Sequence, residues 1–473
     1  MTQPFVDPCG RGVINAEACP REFGRELPSR QRRIILIACV IASSMAFIDG
    51  SVLTVALPRL RTALGTDLAT VQWVITSYVL ALAALTLIGG ALADTYGKAR
   101  ILLIGCVLFG VASVGCALSG SVGWLIAARV LQGSAAALVT PASLALIGAT
   151  FPKAERTAAI GVWAAASALT SAAGPVLGGL LTERFGWQAV FWINPPLAAI
   201  AIVLLFEFAP ADVREVRRFD VIGAVIIACG LGALTWALSQ VGRAETAVAA
   251  SFASETTLIA SFILGLGGIG GYAIWERVTD HPMTPPRLAM NRDFVGLNVA
   301  TLLIYAGLSI MFFLLPFDLI DRRGLSPTSA GLAFLPFTLA VGLLSPYFGS
   351  LADKFGTRAM LIAGAVGASV AYVWMLLAHD RPLGLGVIAP QAVLGISFAV
   401  LVTPLTASVM SSVTQSDEGL ASGINNAASR VAQLAGVAIA AGLGTLMFGY
   451  QFGLAAAAAA SAAGALATAV IYR

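Results

Sequence analysis

Apolar runs close to the length of a bilayer crossing recur almost end to end in this chain, and no other feature narrows its fold as far. They lie at 34–57, 70–91, 101–119, 122–147, 158–182, 188–208, 220–241, 256–276, 294–318, 328–350, 359–378, 383–410, 419–446 and 449–471. A helix needs ~20 such residues to cross the hydrocarbon core. Backbone polar groups in lipid must be satisfied within the segment, so each run reads as a helix. Composition agrees: 58% of the 473 residues are hydrophobic and 11% charged, against about 25% charged in soluble domains. The expected fold class is an all-α polytopic membrane protein with fourteen transmembrane helices.

An even number of crossings puts both termini on one side. Placing them in the cytoplasm leaves 19 Lys/Arg inside, among them Lys98, Arg100, Arg217 and Arg358, and 7 outside, as the excess of cytoplasmic bases requires. The arginine-bearing segment before Ile34 reads as a cytoplasmic tail rather than a cleavable signal. The six cysteines show no metal-ligand spacing and read as unpaired thiols.

One polar turn occurs twice between apolar runs. Gly90-Ala-Leu-Ala-Asp94-Thr-Tyr-Gly97-Lys98-Ala-Arg100 is echoed by Gly349-Ser-Leu-Ala-Asp353-Lys-Phe-Gly356-Thr-Arg358. Such an echo implies two equivalent halves. With the pair at 220–241 and 256–276 set aside, six helices remain on each side. The expected organisation is a tail at 1–33, a six-helix bundle at 34–208, an inserted peripheral hairpin with cytoplasmic linkers at 209–293, and a second six-helix bundle at 294–473.

These turns resemble the signature turn of the major facilitator superfamily, although Thr95 and Ala99 depart from its commoner basic residues. The resemblance implies a cytoplasmic gate at Gly90, Asp94, Gly97, Lys98, Arg100, Gly349, Asp353, Gly356 and Arg358. Ile48-Asp49-Gly-Ser-Val-Leu-Thr54 is similar to the first-helix motif of the fourteen-helix drug:proton antiporters within that superfamily, with Thr54 in place of asparagine. An unpaired carboxylate at mid-membrane costs at least ~2.5 kcal/mol, so Asp49 is protonated, paired or functional. The resemblance favours a proton-coupling role, beside the plainer reading of a structural acid. Arg129-Val-Leu-Gln132-Gly133 resembles the same family's buried-arginine motif, which implies that Arg129 tunes Asp49; alternatively Arg129 snorkels to the headgroups. Gly174-Pro175-Val-Leu-Gly178-Gly179 resembles the motif of the antiporter branches, and small residues at that spacing also let helices approach closely.

Candidate cavity residues are Trp73, Tyr78, Gln132, Asn425, Asn426 and Arg430, with structural bonding between helices an equal reading for Asn425 and Asn426. Trp73 and Tyr78 fit a cavity wall and an interfacial belt equally well. Arg430, deep in its apolar run, requires an anionic substrate group, Asp49 or helix carbonyls as partner. Asn194 suits packing, and Asp318 an ion pair with Arg322 or Arg323. His281 and His379 lie outside the apolar runs, and no nucleotide loop, metal cluster or catalytic triad appears. The expectation is therefore a monomeric proton-driven exporter of amphiphilic drugs, antibiotics or metabolites in a bacterial inner membrane. It would have no cofactor beyond the proton gradient, no enzymatic activity and no nucleic-acid partner. Proton-coupled uptake or lipid translocation on the same fold is the alternative, and a membrane enzyme or receptor the remote one.

Overall fold

A computed structural model describes residues 27–210, 220–240, 255–279, 288, 290–413, 418–444 and 449–472. Most of the tail at 1–33, the linker around Arg214–Arg218 and the segment at 280–287 with His281 lie outside the described residues.

All regular structure among them is helical. The helices are α1 (Ser29–Ala63), α2 (Leu68–Tyr96), α3 (Lys98–Ala117), α4 (Val122–Thr150), α5 (Lys153–Phe185), α6 (Asn194–Phe208), α7 (Val221–Gln240) and α8 (Glu255–Val278). They continue with α9 (Arg292–Phe317), α10 (Leu335–Phe355), α11 (Thr357–Leu377), α12 (Ala389–Ser411), α13 (Glu418–Gly444) and α14 (Gly449–Ile471). One-turn pieces at Ala189–Trp192 and Pro327–Leu332 lead into α6 and α10. Among the described residues, ten segments are long and apolar enough to cross a membrane. The runs expected at 70–91, 158–182, 220–241 and 419–446 form α2, α5, α7 and α13. Within α2 and α7 the strongly apolar stretches, Thr70–Thr86 and Val225–Ala237, are shorter than a full crossing.

Local chemistry sets the helix ends. Asp67, Ser121 and Asn291 accept from the backbone N–H groups of Thr70, Trp124 and Phe294 and start α2, α4 and α9, satisfying donors that a helix N-terminus otherwise leaves bare. The repeated polar turn depends on glycine: Gly97 and Gly356 have φ of +110° and +82°, a region closed to side chains without strain. Each ends one helix and begins the next. We call the side bearing these turns the turn end, and the opposite side the far end.

The early helices pack on one another (α2 on α4, α1 on α5, α3 on α4), as do the late ones (α9 on α13 and α14, α11 on α12 and α14, α10 on α12). Glycines allow the closest approaches. A Cβ on Gly133 would stand 2.3 Å from the Tyr78 carbonyl oxygen, and one on Gly89 2.0 Å from that of Ala137, so α2 and α4 meet backbone to backbone. The two helices of the inserted pair differ in placement: in α8 only 6% of the apolar window within Thr257–Val278 is buried. Helix α7 packs against both α2 and α13, with Gly232 beside Leu80, and so bridges the early and late groups. Close contact of Gly230 with Gly268 then holds α8 against α7.

At the far end the two groups are locked together. Arg61 pairs with Asp321 at 2.8 Å, and the Thr328 backbone N–H donates to Glu183 at 2.9 Å. Gly179 packs on Pro327, and Gly331 on the Pro175 carbonyl.

Candidate functional site

A sealed polar cluster sits in the half of the early helices nearer the far end. Asp49 of α1 and Arg129 of α4 form an ion pair with side chains 0% and 1% exposed, so Arg129 faces the interior instead of reaching towards headgroups. Arg129 and Gln132, three residues apart on α4, share one helix face, and both turn onto the carboxylate. Gln132 Nε2 donates to Asp49 Oδ1 at 2.9 Å, and Asn194 Nδ2, at the start of α6, donates to the same oxygen at 3.3 Å. Arg129 also donates to the Val74 carbonyl at 2.9 Å and to Gln132 Oε1 at 2.8 Å. Ser113 Oγ accepts from Gln132 and Asn194 and donates to the Phe191 carbonyl. Five helices contribute to this cluster, which satisfies a charge pair that would otherwise be costly in so dry a place. Removing either partner of such a pair costs ~3–5 kcal/mol.

Tyr78 links the cluster to open space. The Arg129 guanidinium lies 4.1 Å from the centroid of its ring, and its hydroxyl donates to the Ala46 carbonyl at 3.1 Å. Tyr78 also lines a cavity of ≈ 100 Å³ with Ala46, Phe47, Gly50, Val79, Leu82, Thr140, Ser171, Arg430 and Gln433. Asp49 precedes a lining residue, Gly50, but its side chain is shut off. The cavity lies where α13 meets α1, α2, α4 and α5.

Several candidates sit elsewhere than expected. Gln132 does not line the cavity; its position one turn beyond Arg129 commits it to Asp49. Asn425 is held in the α9–α13 contact, donating to Thr301 at 2.8 Å and Asn298 at 3.2 Å, and Asn426 is exposed. Trp73 is half-buried and away from the cavity lining. Tyr78 and Arg430 do line it. Asn194 belongs to the carboxylate cluster, not to simple packing, while Gln433, Thr140 and Ser171 are lining residues that the sequence reading missed. Gln433 was within reach, being three residues from Arg430 on one face; Thr140 and Ser171 carry no comparable signal.

In the glycine-proline motif, Gly174 and Gly178 face Ser51 and Val52 of α1, while Pro175 and Gly179 face the Pro327–Leu332 turn. One short stretch thus packs the helix bearing Asp49 and the far-end closure together. Of the gate motif, Gly90 lies near Pro141 and Arg358 donates to the Ala469 carbonyl. Asp94 lies in α2 and Gly349 and Asp353 in α10, and the side chains of Asp94 and Asp353 lie outside what is described. Asp318 is buried and accepts from Arg322 and, at 3.0 Å, Arg323; these arginines also bind Asp380 and the carbonyls of His379 and Arg381. It ties far-end loops together. No group of three metal-ligating side chains occurs among the described residues.

An apolar helical pack holding a charge pair beside a cavity between two helix groups defines a multi-pass membrane transporter. The Major Facilitator Superfamily model matches residues 39–291 and 297–473, and the chain belongs to that family. It is 32% identical to the multidrug resistance protein Stp of Mycobacterium tuberculosis, over 87% of this chain and 75% of that one. It is 31% identical to the tetracenomycin C resistance and export protein of Streptomyces glaucescens over the same shares, and 30% identical to the lincomycin resistance protein of Streptomyces lincolnensis, over 88% and 85%. A crystal structure of the peptide transporter POT in complex with sulfate matches over 93% of each chain with TM-score 0.68 and 15% identity, a likeness of fold alone.

Proposed function

We propose that this protein is a proton-coupled antiporter of a bacterial inner membrane that exports amphiphilic small molecules by alternating access. In this reading fourteen helices cross the bilayer as six, two and six, the turn end faces the cytoplasm, and the far end faces outward. Export is supported by the relatives whose names describe resistance and export. Rocking of the two bundles about the central cavity would open each side in turn.

The observation that carries the coupling is the sealed Asp49–Arg129 pair set behind Tyr78, a wall of the cavity. A proton on Asp49 removes the charge that holds Arg129. The guanidinium lies over Tyr78, so its release disturbs the cavity wall, and a ligand pressing on that wall acts back on the pair. Such two-way bias is what linkage between two sites requires. Each proton moving inward supplies ~2.3 kcal/mol per 100 mV, together with any pH gradient.

The test is uphill transport into inverted vesicles with an acidic lumen, using a panel of lipophilic antibiotics and dyes. The expected result is accumulation that a protonophore abolishes. Accumulation indifferent to the protonophore, or net movement in the opposite sense, would contradict the proposal.

A further inference from the structure

The positive charge of Arg430 is not matched by any described group. It lies twelve residues beyond the start of α13, about 18 Å along a helix, and lines the cavity with Gln433 one turn further on. Among the described residues, no carboxylate, carbonyl or side-chain oxygen accepts a hydrogen bond from it. Of the partners that the sequence left open, Asp49 is removed: its carboxylate is fully shielded and committed to Arg129, Gln132 and Asn194. The other polar lining groups, Tyr78, Thr140, Ser171 and Gln433, are neutral. Asp49 and Arg129 cancel, so among the described residues the cavity carries one positive charge without a counter-charge.

From this arrangement we propose that the cavity selects amphiphiles bearing one planar anionic group, a carboxylate, with Arg430 as the residue that binds it. This rests on the reading of the cavity as a transport site and adds the class of substrate. A guanidinium presents a fork of N–H donors that matches the two oxygens of a carboxylate, which a point charge does not. Gln433 and the hydroxyl of Ser171 supply neutral donors around the same space, whereas the Thr140 hydroxyl donates to the Ala136 carbonyl at 3.1 Å. The apolar body of the ligand meets Phe47, Val79 and Leu82. A volume of ≈ 100 Å³ is below the ~300–1,000 Å³ of a drug-sized pocket. In this conformation the cavity therefore accommodates an anionic head, and the rest of a large substrate enters as the bundles part.

The probes are three pyrene compounds with the same apolar body and different heads: pyrenebutyrate, pyrenebutanol and a pyrenebutyl-trimethylammonium salt. Binding to the purified full-length protein in detergent is read by fluorescence, and proton-driven accumulation in inverted vesicles is read separately. Wild type is expected to bind the carboxylate about tenfold or more tightly than the alcohol, the difference one charge-assisted pair supplies, and to bind the ammonium most weakly. In Arg430→Gln that preference should fall about tenfold, and Arg430→Lys should restore part of it. Equal or better binding of the alcohol or the ammonium by wild type overturns the proposal, as does a carboxylate preference that survives in a folded Arg430→Gln protein. If Arg430→Gln fails to fold, the ranking of the three probes on wild type decides alone. Carboxylate-selective binding without proton-driven accumulation would support the anion site while refuting the antiport reading, so the two fail separately.

Discussion

The far-end contact around Gly179 gives the sharpest mechanical prediction. A Cβ placed there would stand 2.2 Å from the Pro327 carbonyl oxygen, and one on Gly331, across the same contact, 2.4 Å from the Pro175 carbonyl oxygen. Backbone atoms cannot fold away as a flexible side chain would. Ordinary contact requires α5 and the Pro327–Leu332 turn to separate by roughly 1 Å, and overpacking of this kind costs ~1–3 kcal/mol. The cost falls only on the conformation in which the far end is closed, so Gly179→Ala and Gly331→Ala should each shift the balance towards far-end opening about 5- to 150-fold. A single cysteine on this surface, at Thr328, reports the shift as faster labelling by a membrane-impermeant maleimide applied from outside. Gly161→Ala is the control, because a Cβ there meets nothing within 4 Å. Unchanged labelling in both variants, or equal acceleration in Gly161→Ala, would refute the argument.

Three further outcomes follow from named contacts. The Thr328 and Ser326 donors hold the exposed Glu183 carboxyl, one residue beyond the apolar run, below its ordinary value of 4.5. A lowered value means that this contact supports far-end closure above about pH 4.5 and is lost as the outer pH falls through the lowered value. Outside labelling, divided at each pH by the rate of a free thiol because the maleimide reacts with the thiolate, should therefore rise in acid for wild type but be insensitive to pH in Glu183→Gln. Within the sealed cluster, Gln132→Leu strips a donor from Asp49 and an acceptor from Arg129 and should cost ~1–3 kcal/mol of stability. Asn194→Leu should cost less, since its Oδ1 is already without a partner among the described residues, and thermal unfolding in detergent ranks the two. Asn425→Ala, which frees Thr301 and Asn298 at the α9–α13 contact, should lower thermal stability without altering the preference among charged and neutral probes; a changed preference would return Asn425 to the cavity.

How much of this was legible in the sequence follows from what each signal encodes. Apolar runs and the two turn glycines report local requirements, satisfaction of the backbone in lipid and a positive φ, and the helices and turns form where those requirements placed them. Asp49 stood out because a carboxylate within an apolar run is costly, whereas its meeting with Arg129 was implied by the family resemblance, since depth along α4 left snorkelling open. The partners of the pair were harder to see. Helical spacing puts Gln132 on the face of Arg129 and Gln433 on the face of Arg430, yet it does not say how far each helix is rotated against its neighbours. That rotation decides that Gln132 serves the carboxylate while Gln433 lines the cavity. Asn194 was read from its place near a helix start, where only the packing of α6 against α1 and α3 reveals its reach to Asp49. The bridging position of α7 depends on contacts between distant segments, and neither length nor hydropathy records them.

The most direct test of the central claim is proton movement measured together with substrate in proteoliposomes containing wild type or Asp49→Asn protein of equal folded yield. Wild type is expected to couple inward proton flow to outward substrate flow and to accumulate substrate against its gradient, and Asp49→Asn to do neither. An Asp49→Asn transporter that still exchanges protons for substrate and still accumulates it uphill would contradict the assignment of coupling to the Asp49–Arg129 pair.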